Sequence, residues 1–231
     1  MKLPKTPQAY QALDLYAGAP KGDRFHVKVR WLTCPVVALE HQVPLSGRIL
    51  DVGCGHGLIS LYLAVCSPTR DVVGIDIDRH KIDLATAAAA RLGDGAGSVT
   101  FQAMEPGVLP DGPFDVIVIT DVLYLLGRDA RRSLIDACID RLGPEGSLLI
   151  KETDTVPAWK AKLAGFQEWV STRVTRITAG DQIDYASSDE FVAQLEGRGL
   201  RVRRTRLDQG YVHPHVLVAG SYRIATFDHL D

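Results

Sequence analysis

The chain lacks a paired cysteine motif, a long apolar stretch and an excess of basic residues, which are the features that mark several classes of protein. Its four cysteines, Cys34, Cys54, Cys66 and Cys138, lie far apart without a Cys-x-x-Cys pair, so neither a zinc site nor a disulfide framework is expected. The longest apolar stretch, residues 58–66, is too short to span a bilayer, so we expect no transmembrane segment. With 26 basic and 28 acidic residues the formal net charge is −2, and no overall basicity favours nucleic-acid binding.

The sequence also shows neither a signal segment nor a repetitive segment. The first residues, Met-Lys-Leu-Pro-Lys-Thr-Pro-Gln, contain no apolar signal segment, so a cytoplasmic location is expected. We find no internal repeat and no low-complexity stretch. The length of 231 residues and the apolar share of 46% predict one globular domain with a sizeable core.

The most informative stretch that is present is a strand, a glycine turn and a helix. Residues 49–57 read Ile-Leu-Asp-Val-Gly-Cys-Gly-His-Gly, with glycines at Gly53, Gly55 and Gly57, and an apolar helix pattern begins at Leu58. This order opens a nucleotide-binding β-α-β unit. Glycine lets the backbone turn tightly and lets a ligand approach where a Cβ atom would collide.

Two acidic residues distinguish the kind of ligand. Dinucleotide folds usually carry Gly-x-Gly-x-x-Gly and bind pyrophosphate at the helix start. Here the glycine spacing differs, and Asp51 precedes the turn, which is unfavourable beside pyrophosphate but suits a ligand with an ammonium group. A second strand over residues 72–76 ends in Asp76, where a carboxylate can accept both ribose hydroxyls.

Strand and helix patterns alternate along the rest of the chain, which predicts a mainly parallel, doubly wound α/β sheet. The predicted strands cover residues 48–52, 71–76, 99–101, 114–119, 147–150, 200–207 and 212–220. Before them, residues 24–32 predict a helix capped by Asp23, with His26 and Arg30 on one face.

The motif Asp51-Val-Gly-Cys-Gly-His-Gly57, followed by Gly74-Ile-Asp76, resembles the class I S-adenosylmethionine-dependent methyltransferases. The resemblance covers residues 45–151 well and the remainder more loosely. It implies seven strands in the order 3-2-1-4-5-7-6 with strand seven antiparallel and helices on both faces. It also implies methyl transfer from S-adenosyl-L-methionine, with S-adenosyl-L-homocysteine as the product.

On this resemblance the single domain, residues 1–231, divides into four parts. Residues 1–44 form an N-terminal helical cap and residues 45–151 the cofactor-binding core. The long connection 152–186 carries several aromatic residues and is either a substrate lid, which we favour, or an extra packing helix. Residues 187–231 complete the sheet.

The resemblance implies a set of residues around the cofactor. Asp51 faces the methionine ammonium, and the backbone around Gly53, Cys54 and Gly55 passes close to the amino acid and ribose. Asp76 accepts the ribose hydroxyls. The adenine and the methyl end meet residues that follow later strands, namely Ile77, Met104, Glu105, Thr120 and Asp121. The family usually has Gly-Asp-Ala where this chain has Met104-Glu105-Pro106, so Glu105 is either an adenine contact or a solvated acid.

Candidates for catalysis and for the pocket of the small-molecule acceptor come from the predicted N-terminal helix and from the later strands: His26, Tyr124, Lys151, Glu152, Tyr211, His213 and His215. His213 and His215 are two apart, so on an extended chain they share a face. They could be a base and its partner, half of a metal site, or packing histidines. Metal-dependent relatives of the catechol type carry an Asp…Asp-Asn pattern after strands four and five. Asp121 could fit its first position, but Lys151-Glu152 replaces the second pair, so no metal is expected.

The identity of the acceptor stays open between three hypotheses. Strand four ends in Thr-Asp-Val-Leu, not in the Asn/Asp-Pro-Pro-Tyr of amino-group methylation on adenine or glutamine, and no Pro-Cys follows it. We favour a small-molecule oxygen or nitrogen acceptor. Alternatives are a protein-lysine methyltransferase, suggested by Asp121-Val-Leu-Tyr124, and a non-catalytic module that binds S-adenosylmethionine.

Predicted strand six carries an unusual density of arginine, with Arg198 just before it and Arg201, Arg203, Arg204 and Arg206 within it. In the implied strand order it lies at the edge of the sheet. We interpret these charges as protection of that edge against pairing with another chain. The alternative is a phosphate or RNA site.

Overall fold

The computed structural model describes residues 6–153, 186–211 and 214–222, so the predicted lid lies almost entirely outside the described residues. Seven strands form a sheet in the order β3-β2-β1-β4-β5-β7-β6. The strands are β1 (Ser46–Val52), β2 (Thr69–Asp76), β3 (Ser98–Ala103), β4 (Phe114–Thr120), β5 (Leu142–Thr153), β6 (Arg201–Arg206) and β7 (His215–Ser221).

Strand direction follows the predicted topology. Strands β1 to β5 are parallel to one another, and β7 is antiparallel to its neighbours β5 and β6. The predicted strand order and the antiparallel seventh strand are therefore confirmed. The strand ends are less accurate, since β5 is much longer than residues 147–150 and β7 begins only at His215.

Helices cover both faces of the sheet, as expected for a doubly wound fold. They are α1 (Pro7–Asp14), α2 (Lys21–Thr33), α3 (Val36–Glu40), α4 (Leu58–Cys66), α5 (Arg79–Ala89), α6 (Arg128–Ile139) and α7 (Ser188–Gly197), with a 3₁₀ helix at Leu123–Leu125. One apolar core joins α1 to α4 to the sheet, and a second core joins α6 and α7 to its other face. None of the helices in the described part of the chain has the length and apolarity needed to cross a membrane.

Strand β4 explains why the middle of the sheet is apolar at nearly every position. Val116 and Val118 face the core beneath α4, whereas Ile117 and Ile119 face the core beneath α6, and all of them are buried. A strand covered on both faces needs apolar side chains in both directions. The parallel strands then bring their carboxyl ends, and the polar residues that follow, to one edge of the sheet.

Helix α2 lies over that edge and differs from its prediction. It begins at Lys21 after Pro20, so the predicted cap at Asp23 is wrong: Asp23 lies in the first turn, and its carboxylate contacts His56 instead. The core face of the helix is formed by Val27 and Trp31. Two contacts with polar residues of the sheet edge, described below, anchor the other side of the helix.

Three of the four arginines of β6 are engaged by nearby polar groups. Arg204 pairs with Asp189, Arg206 with Asp208, and Arg203 donates to the amide oxygen of Gln42. Arg198 pairs with Asp136 and Asp140 of the α6 region. Because these arginines already have local partners, the pairs support protection of the sheet edge against another chain rather than a phosphate-binding site.

Candidate functional site

The glycine turn after β1 forms the floor of the candidate site. Gly53 has a φ of +71°, and a Cβ atom there would lie 2.4 Å from Cγ2 of Val122. Gly55 has a φ of +56°, but an added Cβ would meet nothing within 4 Å. Gly53 is thus required for packing against the segment after β4, whereas Gly55 turns its backbone towards open space. A ligand can approach the chain at Gly55.

Asp76 and the turn are held together by hydrogen bonds. The Gly55 amide donates to Oδ2 of Asp76 at 2.8 Å, and the Asp78 amide donates to Oδ1 at 2.9 Å. The Cys54 amide donates to the Ile75 carbonyl at 2.9 Å, which fixes the turn to the end of β2. The side chain of Asp76 is half-buried beside the open space at Gly55. The structure therefore brings the predicted ribose acid to the turn.

The predicted adenine side of the site is more exposed. Ile77 directly follows β2 and is 57% exposed, which leaves an apolar side chain accessible next to Asp76. Met104 is half-buried, and its amide donates to the Asp76 carbonyl at 3.0 Å. Glu105 is exposed in the loop after β3. Ile77 and Met104 thus both lie next to Asp76 at the end of β2.

Asp51 is buried under the turn, with 1% of its surface exposed. Its Oδ2 accepts a hydrogen bond of 2.6 Å from the hydroxyl of Ser60 on α4. Burial raises the pKa of Asp51 to about 6, although the Ser60 hydrogen bond opposes that shift. A positively charged ligand group would lower this pKa again and stabilise the charged form of the carboxylate.

The end of β4 holds an ion triad formed by Arg30, Asp121 and Lys151. The ammonium of Lys151 donates to both carboxylate oxygens of Asp121 at 2.6 and 2.7 Å, and Nη1 of Arg30 donates to Oδ2 at 2.7 Å. Burial alone would raise the pKa of Asp121, but the charges of Lys151 and Arg30 hold it well below its usual range. Asp121 also has a φ of +53°, so these contacts stabilise a conformation that is rare outside glycine. Asp121 is a permanently ionised group in this site.

Thr120 precedes Asp121 and is buried, with 3% of its surface exposed. Its carbonyl accepts a bond of 3.1 Å from Nη2 of Arg30. Its hydroxyl oxygen has no hydrogen-bond partner among the described residues. A buried polar atom in this state usually has a ligand or a water as its partner in the functional protein.

Glu152 follows Lys151 but faces the opposite side of the sheet. Its Oε1 accepts hydrogen bonds from the amides of Val122 and Leu123, at 3.1 and 2.8 Å. Burial, reinforced by the charge of Asp121, raises the pKa of Glu152 to about 8. Lys151 therefore pairs with Asp121 rather than with its neighbour, and Glu152 fixes the start of the 3₁₀ helix.

Helix α2 contacts the site at two places. Arg30 forms one of them, and at the other, Oδ1 of Asp23 lies 3.2 Å from Nε2 of His56 in the glycine turn. The ring centroid of His26 lies 4.8 Å from that of His56, and partial burial together with the charge of His56 lowers the pKa of His26 to about 4. His26 is thus a neutral side chain on the turn side of α2.

The remaining predicted catalytic residues gather near the triad. His215 opens β7, is 3% exposed and shares a sheet face with Lys151, and its positive form also favours the ionised state of Asp121. The ring of Tyr211 meets His215 edge to face at 5.3 Å. Tyr124 is half-buried in the 3₁₀ helix, close to Arg30. His213 lies outside the described residues.

Sequence reasoning missed Arg30 and Ser60 as site residues. Arg30 was recognised only as a neighbour of His26 on a helix face, because its partner Asp121 is 91 residues further along the chain. Ser60 is close in sequence to Asp51, and its place in the first turn of α4 was the one signal that could have identified it. Among the described residues, no group of three or more histidine, cysteine, aspartate or glutamate side chains is arranged to hold a metal.

Comparisons with known proteins agree with this geometry. Residues 49–146 match the model of a methyltransferase-domain family. The release factor glutamine methyltransferase of Vibrio cholerae is 33% identical over 116 residues, which are 50% of this chain and 39% of that protein. The ubiquinone biosynthesis O-methyltransferase of Xylella fastidiosa is 30% identical over 167 residues, or 71% of this chain and 65% of that protein. The chain spans less than half the length of the first of these relatives.

A solved structure shows the same fold over almost the whole chain. The magnesium protoporphyrin IX methyltransferase of Synechocystis, crystallised with S-adenosylhomocysteine, superposes with a TM-score of 0.63 at 15% identity, covering 96% of this chain and 90% of that one. The domain match covers the glycine turn and both acids, and the strand order is the one implied for the family. Residues 49–146 therefore form a methyltransferase domain, and the whole sheet has the fold of the class I S-adenosylmethionine-dependent methyltransferases.

Proposed function

We propose that this chain transfers the methyl group of S-adenosylmethionine to an oxygen or nitrogen atom of a small molecule. One observation carries the proposal. Two acids, Asp51 and Asp76, end neighbouring strands on either side of a turn whose middle glycine, Gly55, faces open space. Asp51 is buried and forms no ion pair with a described residue, and Asp76 is half-buried beside the turn, which suits a ligand with an ammonium group and a ribose.

The cofactor residues of this proposal are those implied by the sequence. Asp51 takes the ammonium of the methionine part, and its pKa of about 6 means that this cation stabilises its charged form. Asp76 takes the ribose hydroxyls with oxygens that already hold the turn. The remaining contacts come from backbone and apolar surfaces near the strand ends, at Gly53, Cys54, Gly55, Ile77, Met104 and Glu105.

Thr120 and Asp121 flank the methionine part and the methyl group. The hydroxyl of Thr120 is buried without a partner in the described part of the chain, so a polar atom of the cofactor would satisfy it. When bound, the cofactor supplies an activated sulfonium methyl group. The protein then needs mainly to align the acceptor with that methyl and to exclude water, and α2 covers the edge where this happens.

The proposed catalytic set is His26, Tyr124, Lys151, His213 and His215. Within it, Lys151 acts through Asp121, whose charge it fixes. Tyr124 and His215 are the residues best placed beside the triad to contact an acceptor.

We also infer a single domain, with residues 1–44 as its cap and residues 152–186 as a lid. We further infer a cytoplasmic location and no nucleic-acid partner.

Two other functions remain as alternatives. The stretch from Asp121 to Tyr124 suits a protein-lysine methyltransferase, and it lies beside Arg30 at the mouth of the site. A binding module without transfer activity is the other alternative. Methylation of a glutamine amide fits less well, because the segment after β4 lacks the Pro-Pro-Tyr pattern and both oxygens of Asp121 already accept charged donors.

The test is transfer from methyl-labelled S-adenosylmethionine to a lysate of the organism that makes the protein. We expect label in the solvent-extractable fraction, and none when the Asp76→Ala variant replaces the natural chain. Label in a protein band would contradict the small-molecule proposal and support the protein-lysine alternative. Tight binding of S-adenosylhomocysteine without transfer to any fraction would support the binding module.

A further inference from the structure

The carboxyl end of β4 carries more positive than negative charge. Arg30 and Lys151 both pair with Asp121, and in the described part of the chain neither forms an ion pair with another carboxylate. Lys151 is fully buried and the side chain of Asp121 is 11% exposed, so water and salt screen these charges only weakly. Two cations therefore share one anion at the place where the acceptor is expected.

The neighbouring carboxylates, Glu152 and Asp51, do not neutralise this excess of positive charge. Glu152 lies on the other face of the sheet and binds the amides of Val122 and Leu123. Asp51 is committed to Ser60 and, on the proposed function, to the ammonium of the cofactor. The ammonium then offsets Asp51, the cofactor's carboxylate and its sulfonium offset each other, and Arg30 and Lys151 still share the single negative charge of Asp121. The loaded site thus keeps an excess of positive charge.

The same triad leaves no carboxylate base at the end of β4. Both oxygens of Asp121 accept charged donors, and such a group takes up a proton only well below neutral pH. An acceptor that must lose a proton here would need another base. An acceptor that arrives already ionised needs none.

We propose, resting on the function proposed above, that the acceptor is an acid that binds as its oxyanion, a carboxylate or a phenolate, against Arg30. The side chain of Arg30 is 30% exposed, and its two hydrogen bonds use only part of the five N–H donors of a guanidinium. In the transfer step a lone pair of the oxyanion forms the new O–CH₃ bond. The C–S bond breaks, its electron pair converts the sulfonium to a neutral thioether, and no proton is transferred.

The experiment compares small acids with their neutral amides on the protein loaded with S-adenosylhomocysteine. Matched pairs such as benzoate and benzamide, salicylate and salicylamide, and cinnamate and cinnamamide are titrated by calorimetry. We expect the best acid to bind at least about tenfold more tightly than its amide, which corresponds to about 1.4 kcal/mol. The Arg30→Gln variant should lose this preference and Arg30→Lys should keep most of it, whereas Arg201→Gln, at an exposed position on β6, should leave it unchanged.

Several outcomes would overturn the proposal. Equal binding of acid and amide, no binding of either, or a preference that survives in Arg30→Gln would each do so. If Arg30→Gln weakens S-adenosylhomocysteine itself and leaves the acids unaffected, Arg30 serves the cofactor's own carboxylate instead. Failure of the natural chain to bind S-adenosylhomocysteine would overturn the proposed function as a whole, so the two failures are distinct.

Discussion

The two halves of the candidate site are built in different ways. At the ends of β1 and β2, the acids and glycines come from two short stretches of chain, and Gly55 faces open space. At the ends of β4 and β5, Arg30, Asp121 and Lys151 come from three distant places and already satisfy one another. The first half keeps polar capacity for a ligand, whereas the second uses its charges to hold the fold. Substitutions in the first half should therefore affect cofactor binding, and those of the buried pair Lys151 and Asp121 in the second half should affect stability. Arg30 is the exception in the second half, because it is partly exposed and keeps donors for the acceptor.

The largest expected effect is a loss of stability in Lys151→Met. Removing one partner of a buried ion pair leaves the other charge uncompensated, which typically costs about 3–5 kcal/mol. Because Arg30 still contacts Asp121, we expect a loss near the lower end of that range. Urea denaturation measures it, and the double variant Lys151→Met/Asp121→Asn should recover much of the loss. A single variant as stable as the natural chain would show that the triad contributes little to the fold.

The next largest effect concerns binding rather than stability, in Asp76→Asn. A hydrogen bond to a charged group is worth about 1.5–3 kcal/mol, so affinity for S-adenosylhomocysteine should fall about 10- to 100-fold. The amide oxygen can still accept from one of the two backbone amides that Asp76 now binds, those of Gly55 and Asp78, so the melting temperature should fall only modestly. Asp71→Asn, an exposed acid on the same strand, is the matched control and should bind normally. A large loss of stability with unchanged affinity would reverse our distinction between the two halves.

The difference between the halves also explains what could be predicted from the sequence. The glycine turn and the acids Asp51 and Asp76 are close in sequence, so they form a local motif. Apolar runs such as that of β4 predict a sheet that is covered on both faces. Arg30 and Asp121 are 91 residues apart in the chain, so no local sequence pattern predicts that they pair. The error at Asp23 has the same origin, since a contact with His56 decides the role of a residue that locally resembles a helix cap.

Stability should depend on pH through Glu152 in the second half. Its folded pKa of about 8 lies above the unfolded value of about 4.3, so the folded state holds a proton that the unfolded chain has released. The resulting stability is fully present below the unfolded value and is lost as pH rises through about 8. Between about pH 6.5 and pH 8 the free energy of unfolding should fall by at most about 1.4 kcal/mol per pH unit.

Denaturation at several pH values in that range measures this effect. The Glu152→Gln variant should show a flatter profile, because its amide has no proton to lose. Asp51, with a pKa of about 6, titrates mostly below this range and does not obscure the comparison. An unchanged slope in Glu152→Gln would mean that another group is responsible.

The smallest effects should come from alanine substitutions of Gly53 and Gly55. The two variants should differ in whether stability or cofactor affinity is lost. Both have positive φ values, so alanine at either position costs about 1 kcal/mol in backbone strain. In Gly53→Ala the new methyl group also lies 2.4 Å from Val122, so this variant should lose more stability, as thermal denaturation will show. In Gly55→Ala the methyl group enters the open space that we assign to the cofactor. That variant should lose affinity for S-adenosylhomocysteine beyond its loss of stability, and normal affinity there would place the cofactor elsewhere.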